Sequence, residues 1–430
     1  MLVRGTVVVD SATVVEDGAV VTEDDRIVAV GDADDLIDRY PDHDRRGFDL
    51  VLPGLVDAHV HTVQSLGRGM ADDTSLLTWL FEHVLPMEAE MDAEAMAVAA
   101  TLGYLELIES GVTACVDHLS VNHAEEAFEA AGEVGIRGLL GKVLMDRDSP
   151  EGLLEDTEEG LRESERLLRR YHGAFSDRIR YAVTPRFAVT CSEGSLRGAR
   201  DLADEYGVRL HTHANENRSE IDRVAADTGM RNVEWLDEVG LTGEDVLLAH
   251  CVHTDRRERE LLAETGTTVV HCPSANVKLA SGVAPIAEYL DRGIPVALGN
   301  DGPPCNNTLD PFTEMRQASL LAKSRSLDPT SLPARTVFEM ATEVGARAAG
   351  FDDVGTLQAG EKADLIGLET GRMRSTPIHE VHSHLVYAAR GDDVRFTMVD
   401  GRVLYEDGEH LTVDSEAVKE RAKRIARSFR

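Results

Sequence analysis

His59 and His61 close an apolar run, LPGLVDAHVH over residues 52–61, with one residue between them. In a strand, a period of two carries both imidazoles to one face, where they can share a metal ion. Pro53 and Gly54 break the chain just upstream, so the pair falls at the far, C-terminal end of that strand. Further residues of ligand type end comparable runs: His213 in VRLHTHA, His250 in DVLLAHCVH and Asp301 in IPVALGND. Imidazole and carboxylate donors of this kind bind Zn²⁺ or Fe²⁺ and leave a position for water. Glu216, three residues past His213, can reach the space beside such an ion, where a general acid/base is wanted. His211 shares the inward face of His213 one layer deeper and reads as a supporting or core residue. His271 is expected to hydrogen-bond within the mouth.

Eight apolar runs can position these groups. They lie near 55–61, 112–118, 136–145, 179–185, 208–214, 245–253, 267–273 and 294–301, and stretches of helical character such as DAEAMAVAATLGYLELIESG and EGSLRGARDLADEYG separate them. Eight buried-type strands alternating with helices count out an α/β fold, a parallel (β/α)8 TIM-type barrel. The alternative is an open, doubly wound sheet. A barrel gathers the C-terminal ends of all eight strands into one mouth, which is where the ligand-type residues fall.

Both ends of the chain have another texture. Residues 1–50 alternate valine with polar residues and carry turn signals, so short antiparallel strands and no helix are expected there; VGTLQAGEKADLIGLE and FTMVDGRVLYEDGE return to that pattern after residue 352. The expected organisation is a small β-sandwich domain from residues 1–50 and 352–430, around a barrel domain spanning 51–351. SEAVKERAKRIARSF reads as a terminal helix with basic residues toward its C-terminus, as the helix dipole favours.

Charge narrows the partners. Against 44 Lys+Arg stand 78 Asp+Glu, a net charge of -34 over 430 residues, which argues against nucleic acid and anionic membrane surfaces. The acids are dispersed and only six of the basic residues are lysine, a pattern resembling proteins of salt-loving microbes. Five cysteines, Cys115, Cys191, Cys251, Cys272 and Cys305, are far apart and form no CxxC pair, so reduced thiols and a cytoplasmic location are expected. No signal-peptide pattern and no membrane-spanning run is visible.

LPGLVDAHVH, HTHANE, LLAHCVH, HCPSANVKLASGVAPI and ALGNDGPPCNNTLDPFTEMRQASLLAK resemble the amidohydrolase superfamily. The similarity runs essentially end to end. The fourth run, IRYAVTP, ends without the lysine that bridges two ions in binuclear members, which points to the single-metal branch of S-adenosylhomocysteine, 5'-methylthioadenosine and 5'-deoxyadenosine deaminases and triazine chlorohydrolases. The resemblance implies one divalent transition metal per chain, zinc before iron, held by His59, His61, His213 and Asp301. It implies that His250 orients the attacking water together with Asp301, and that Glu216 is the acid/base for a purine nucleoside losing ammonia. Within TWLFEHVLPMEAEM, Trp79 would line the pocket and Glu88 would accept from the ribose hydroxyls. Arg186 stands where some relatives place a histidine, and GKVLMDRDSPEG offers only Lys142 and Arg147 in place of an arginine pair for an amino-acid tail. Small 5' substituents are therefore favoured. A homodimer or homotetramer is expected. Alternatives are a guanine-type or oxidised-purine base deaminase, a triazine hydrolase, and a non-catalytic barrel subunit, against which Glu216 argues.

Overall fold

The structure is a computed structural model and describes residues 1–429. The eight expected runs form its central parallel sheet. In spatial order the principal strands are Leu55–Val60, Val112–His118, Arg137–Gly141, Ile179–Pro185, Arg209–Ala214, Val246–His250, Thr268–His271 and Val296–Leu298, each paired with the next. The third run is divided: Val143–Leu144 forms a separate short strand beyond Lys142 and pairs with the fourth barrel strand. The sheet closes where Val60 bridges Asp301 in parallel and the Asp301 N–H donates to the His59 carbonyl at 2.8 Å. That closure needs a glycine. A Cβ on Gly299 would lie 2.9 Å from the backbone N and O of His59, so any larger residue would push the eighth strand off the first.

Asp57 and Asp117 bolt the first strand in place. Asp57 accepts the Asn300 backbone N–H at 3.0 Å and its side-chain Nδ2 at 2.9 Å, across the closure. Asp117 accepts from Tyr104 at 2.8 Å and from the Thr62 backbone at 3.2 Å. Burial pushes both carboxyls up to about 7.

The chain ends meet in one continuous eight-stranded sheet. Its order is Glu409–His410, Arg402–Glu406, Val394–Val399, Leu365–Leu368, Arg45–Pro53, Leu2–Val8, Val14–Glu23 and Arg26–Asp32. The sheet curls so that apolar residues of both halves, among them Val3, Val20 and Ile27 with Leu365, Phe396 and Met398, share one cluster, which supplies the core of a sandwich. Leu2–Val8 pairs with Arg45–Pro53 in parallel, the exception among otherwise antiparallel neighbours. Against the expectation of no helix before residue 50, Ala33–Arg39 is helical: Asp32 caps it by accepting from Asp34 at 3.0 Å and Asp35 at 3.1 Å, and Ala33 and Leu36 bury its inner face. Two turns are too short for a helical period to rise above the strand alternation around them. The terminal helix is present as Ser415–Ile425.

A buried ion cluster ties sheet to barrel. Arg137, on the third barrel strand, reaches Asp364 at 2.7 and 3.1 Å and Asp400 at 2.5 Å. All five cysteines are buried free thiols. Among the described residues, no helix is long and apolar enough to cross a membrane.

Candidate metal centre and active site

Histidines converge at the C-terminal mouth. His61 Nε2 and His213 Nε2 are 3.2 Å apart, and Asp301 Oδ1 lies 3.5 Å from His59 Nε2 and 3.6 Å from His61 Nε2. Ligand atoms of His59, His61 and His213 lie within 4.8 Å of one another, as do those of His59, His250 and Asp301. Each imidazole is turned by a bond on its far side: His61 Nδ1 donates to the His118 carbonyl at 2.6 Å, His213 Nδ1 donates to the Arg186 carbonyl at 2.7 Å, and His59 Nδ1 meets His211 Nε2 at 3.0 Å. His211 is thus the deeper support expected of it. His118 packs edge-on against His61 and His213.

These orientations test whether the cluster suits a cation. With their Nδ1 protons committed to carbonyls, His61 and His213 both present lone pairs at Nε2, and burial keeps both rings neutral by holding their pKa well below the usual value. Two lone pairs facing across 3.2 Å repel unless a positive charge sits beside them. His59 Nε2 is wholly buried and has no hydrogen-bond partner. Burial opposes the Asp301 charge, yet the facing imidazoles of His59, His250 and His61 hold its carboxyl far below the usual range. The donor set fits one divalent transition metal with N and O ligands.

The strand exits are strained where they carry chemistry. Asn215, His250, Cys251 and Asp301 have φ of 55°, 73°, 46° and 65°. For residues with a Cβ this costs about 1 to 3 kcal/mol each, tolerated where surrounding bonds over-determine the geometry. His250 Nδ1 is fixed by Asn276 Oδ1 at 2.9 Å, while its Nε2 faces Asp301 Oδ2 at 3.9 Å and Glu216 Oε2 at 3.6 Å. Ser281 Oγ donates to Glu216 Oε1 at 3.3 Å. Burial raises the Glu216 pKa, partly offset by His250. For His250 burial works downward, but Glu216 and Asp301 outweigh it and leave the pKa raised.

A partly enclosed cavity opens on this cluster, and Trp79, Arg186, Phe187, Glu216, His250 and Leu279 line part of it. Glu88 is not among the lining residues: its carboxylate is fully covered, accepting from Gln64 Nε2 at 2.8 Å and Ser120 Oγ at 2.9 Å, with Arg186 Nη1 3.5 Å from both oxygens. It can meet a ligand only when one of these partners gives way.

Lys142 and Arg147 turn inward to the fold. Lys142 Nζ is buried against both Glu155 oxygens at 2.7 Å, and Arg147 donates to the Ala188 carbonyl at 2.6 Å. His271 is buried, but its Nδ1 has no partner, so the hydrogen bond expected within the mouth is absent at that atom. Sequence reasoning passed over Asn276, Ser281 and Gln64. Asn276 and Ser281 stand within HCPSANVKLASGVAPI, which gave them no role of their own, and Gln64 had only its place just beyond a strand end, which many polar residues share.

Residues 18–42 match an imidazolonepropionase-like composite domain of bacteria. A 5-methylthioadenosine/S-adenosylhomocysteine deaminase of Syntrophobacter fumaroxidans is 42% identical over 89% of this chain and 86% of its own length. A 5'-deoxyadenosine deaminase of Methanothermobacter thermautotrophicus is 42% identical over 92% of this chain and 90% of its own. The crystal structure of an adenosine deaminase from Xanthomonas campestris with bound zinc superposes with a TM-score of 0.92 at 31% identity, covering 100% of this chain and 98% of that one. Residues 50–404 match the amidohydrolase family along the same barrel that brings His59, His61, His213 and Asp301 together, and the chain belongs to that family.

Proposed function

We propose that this protein is a metal-dependent hydrolytic deaminase of adenosine-type nucleosides, converting the 6-amino purine and water into the 6-oxo purine and ammonia. The carrying observation is one carboxylate, Glu216, buried at the wall of the cavity and 3.6 Å from His250, beside the histidine and aspartate cluster. The 42% identical deaminases, aligned over most of the chain, support the same substrate class.

In this reading His59, His61, His213 and Asp301 hold one divalent ion, with zinc favoured by the zinc-bound neighbour. Bound there, such an ion supplies Lewis acidity and a nucleophile at neutral pH. Asp301 and His250 aim the attacking water at C6. Glu216, kept protonated to higher pH by burial, delivers its proton to N1 and then passes the proton it regains from water to the leaving amine. Trp79 packs the base, and Arg186 with Glu88 behind it reads the sugar. The proposal extends to a two-part chain, residues 51–351 as the barrel domain and 1–50 with 352–430 as the second, in a homodimer or homotetramer of a salt-adapted cytoplasm. No nucleic-acid or membrane partner is proposed, in keeping with the -34 charge.

The complete cover over Glu88 favours a second reading, a purine-base deaminase that never uses that carboxylate. Ammonia release across adenosine, 5'-deoxyadenosine, 5'-methylthioadenosine, S-adenosylhomocysteine, adenine, guanine, cytosine and a chlorotriazine separates them. The expected order places the first three together and S-adenosylhomocysteine behind. Preference for a free base, or for the triazine, overturns the nucleoside assignment.

A further inference from the structure

Glu216 is clamped at its root from two sides. The preceding Asn215, in left-handed conformation, has its Nδ2 held 2.9 Å from each carboxylate oxygen of Glu258. From the other side comes Glu220, on the first turn of the helix Arg218–Thr228. Its Oε2 accepts the Glu216 backbone N–H at 2.8 Å and the Asn217 N–H at 3.4 Å, while Oε1 accepts from Asn232 Nδ2.

A glutamate three residues past an N-cap ordinarily reaches back to the N-cap N–H, here that of Asn217. Glu220 makes its shorter bond one residue further back, to Glu216. It is also 1% exposed and lines the same cavity as Glu216, although burial pushes its own carboxyl up to about 7, a cost that an exposed cap would avoid. Resting on the reading of Glu216 as the acid/base, we infer that Glu220 is a positioning residue for proton transfer, fixing the Glu216 backbone so that its carboxylate swings in one arc between Ser281 and His250. A displacement of about 1 Å at such a group can cost about a hundredfold in rate.

The test is a double-mutant cycle on the metal-loaded enzyme, read by ammonia release from adenosine. Glu220→Met removes the acceptor at nearly the same length, while Glu220→Gln keeps an oxygen for the Glu216 N–H and can turn its amide nitrogen to Asn232 Oδ1, which now lacks a partner, once that side chain turns over. Glu220→Gln should stay within about threefold of the parent in kcat, whereas Glu220→Met alone should lower kcat about tenfold with KM changed less than about threefold and metal content close to the parent's. In the Glu216→Gln background the same substitution should change kcat less than about twofold, because the group it positions has gone. Asn232→Ala, which frees Glu220 Oε1, should repeat the pattern with a smaller loss, and it carries the cycle alone if Glu220→Met does not fold. A tenfold loss that persists in the Glu216→Gln background, or KM rising at constant kcat, overturns the role of Glu220 while leaving the deaminase reading intact. A parent enzyme inert toward every purine tested defeats the proposed function, and the role of Glu220 falls with it.

Discussion

The guanidinium Nη1 of Arg186 stands 3.5 Å from both carboxylate oxygens of Glu88, and both side chains are sealed from solvent. Buried charges held in this way neutralise each other, and removing one strands the other. Glu88→Ala is therefore expected to lower Tm as well as activity. On adenosine, losing charge-assisted bonds of about 1.5 to 3 kcal/mol each should reduce kcat/KM by roughly a hundredfold or more. On adenine or guanine the loss should be small, and the ratio of the two losses removes the shared stability effect. Equal losses would take Glu88 out of sugar recognition and favour the base reading.

Asp301 is both a facing charge for His59 and His61 and the residue that closes the barrel through its backbone. Metal analysis of the parent should find about one transition-metal ion per chain, the stoichiometry of a mononuclear site. In Asp301→Ala both the ion and turnover should be lost. Two ions in fully active protein, or unchanged turnover in the variant, would contradict a single-metal site.

Glu216→Gln keeps the size of the side chain and, through its remaining oxygen, the bond from Ser281. It should retain fold and metal while kcat falls roughly a hundredfold or more, the usual worth of a general acid/base. Normal turnover in this variant would remove proton transfer from Glu216.

Glu314 lies on the helix Pro311–Ser326, is fully buried, and accepts from the Ser274 backbone at 3.1 Å and Asn306 Nδ2 at 2.9 Å. Burial pushes its carboxyl up to about 8. The unfolded value is about 4.3, so the folded state prefers the protonated form. Its contribution to stability is complete below about pH 4 and is lost as pH rises through about 8. Glu314→Gln, neutral throughout, should show a shallower fall in Tm between pH 5 and 8 than the parent in the same salt. Parallel curves would show that Glu314 does not titrate in that window.

With a net charge of -34, the folded chain repels itself at low ionic strength, and exposed pairs such as Arg166 with Glu163 and Glu125 offset only part of this. Tm should rise as KCl goes from millimolar to molar, first by screening and then through salt-dependent hydration. A flat or falling curve would dismiss salt adaptation and leave the chemistry untouched.

The histidine and aspartate cluster was legible in the sequence because strand alternation and parallel topology govern it. Alternation along a strand set His59 beside His61, and the parallel fold placed strand ends carrying His213, His250 and Asp301 at one mouth. Glu216 was singled out by its offset from His213 together with the resemblance carried by HTHANE. What covers Glu88 could not be read: its type and position pointed to a ligand, but Gln64, Ser120 and Arg186 come from three other places in the chain, and only packing shows that they occupy it. Asn276 behind His250 escaped for the same reason. The helix Ala33–Arg39 was hidden by its brevity, since its two inward residues, Ala33 and Leu36, give a single i, i+3 spacing, too little to establish a helical period.

The strand Arg45–Pro53 lies between Leu2–Val8, made before it, and Leu365–Leu368, made some three hundred residues later. On a ribosome adding about 5 to 20 residues per second, the early strands wait about 15 to 60 seconds for that neighbour. Throughout that interval Arg45–Pro53 lacks the neighbour that pairs with Leu50, Val51, Leu52 and Pro53, and presents an unpaired edge. The interior of the chain is thus synthesised while its beginning is unfinished, and the last strands to emerge seal the first. Nascent chains halted before residue 365 therefore hold the edge that a chaperone, or a neighbouring nascent chain, would capture.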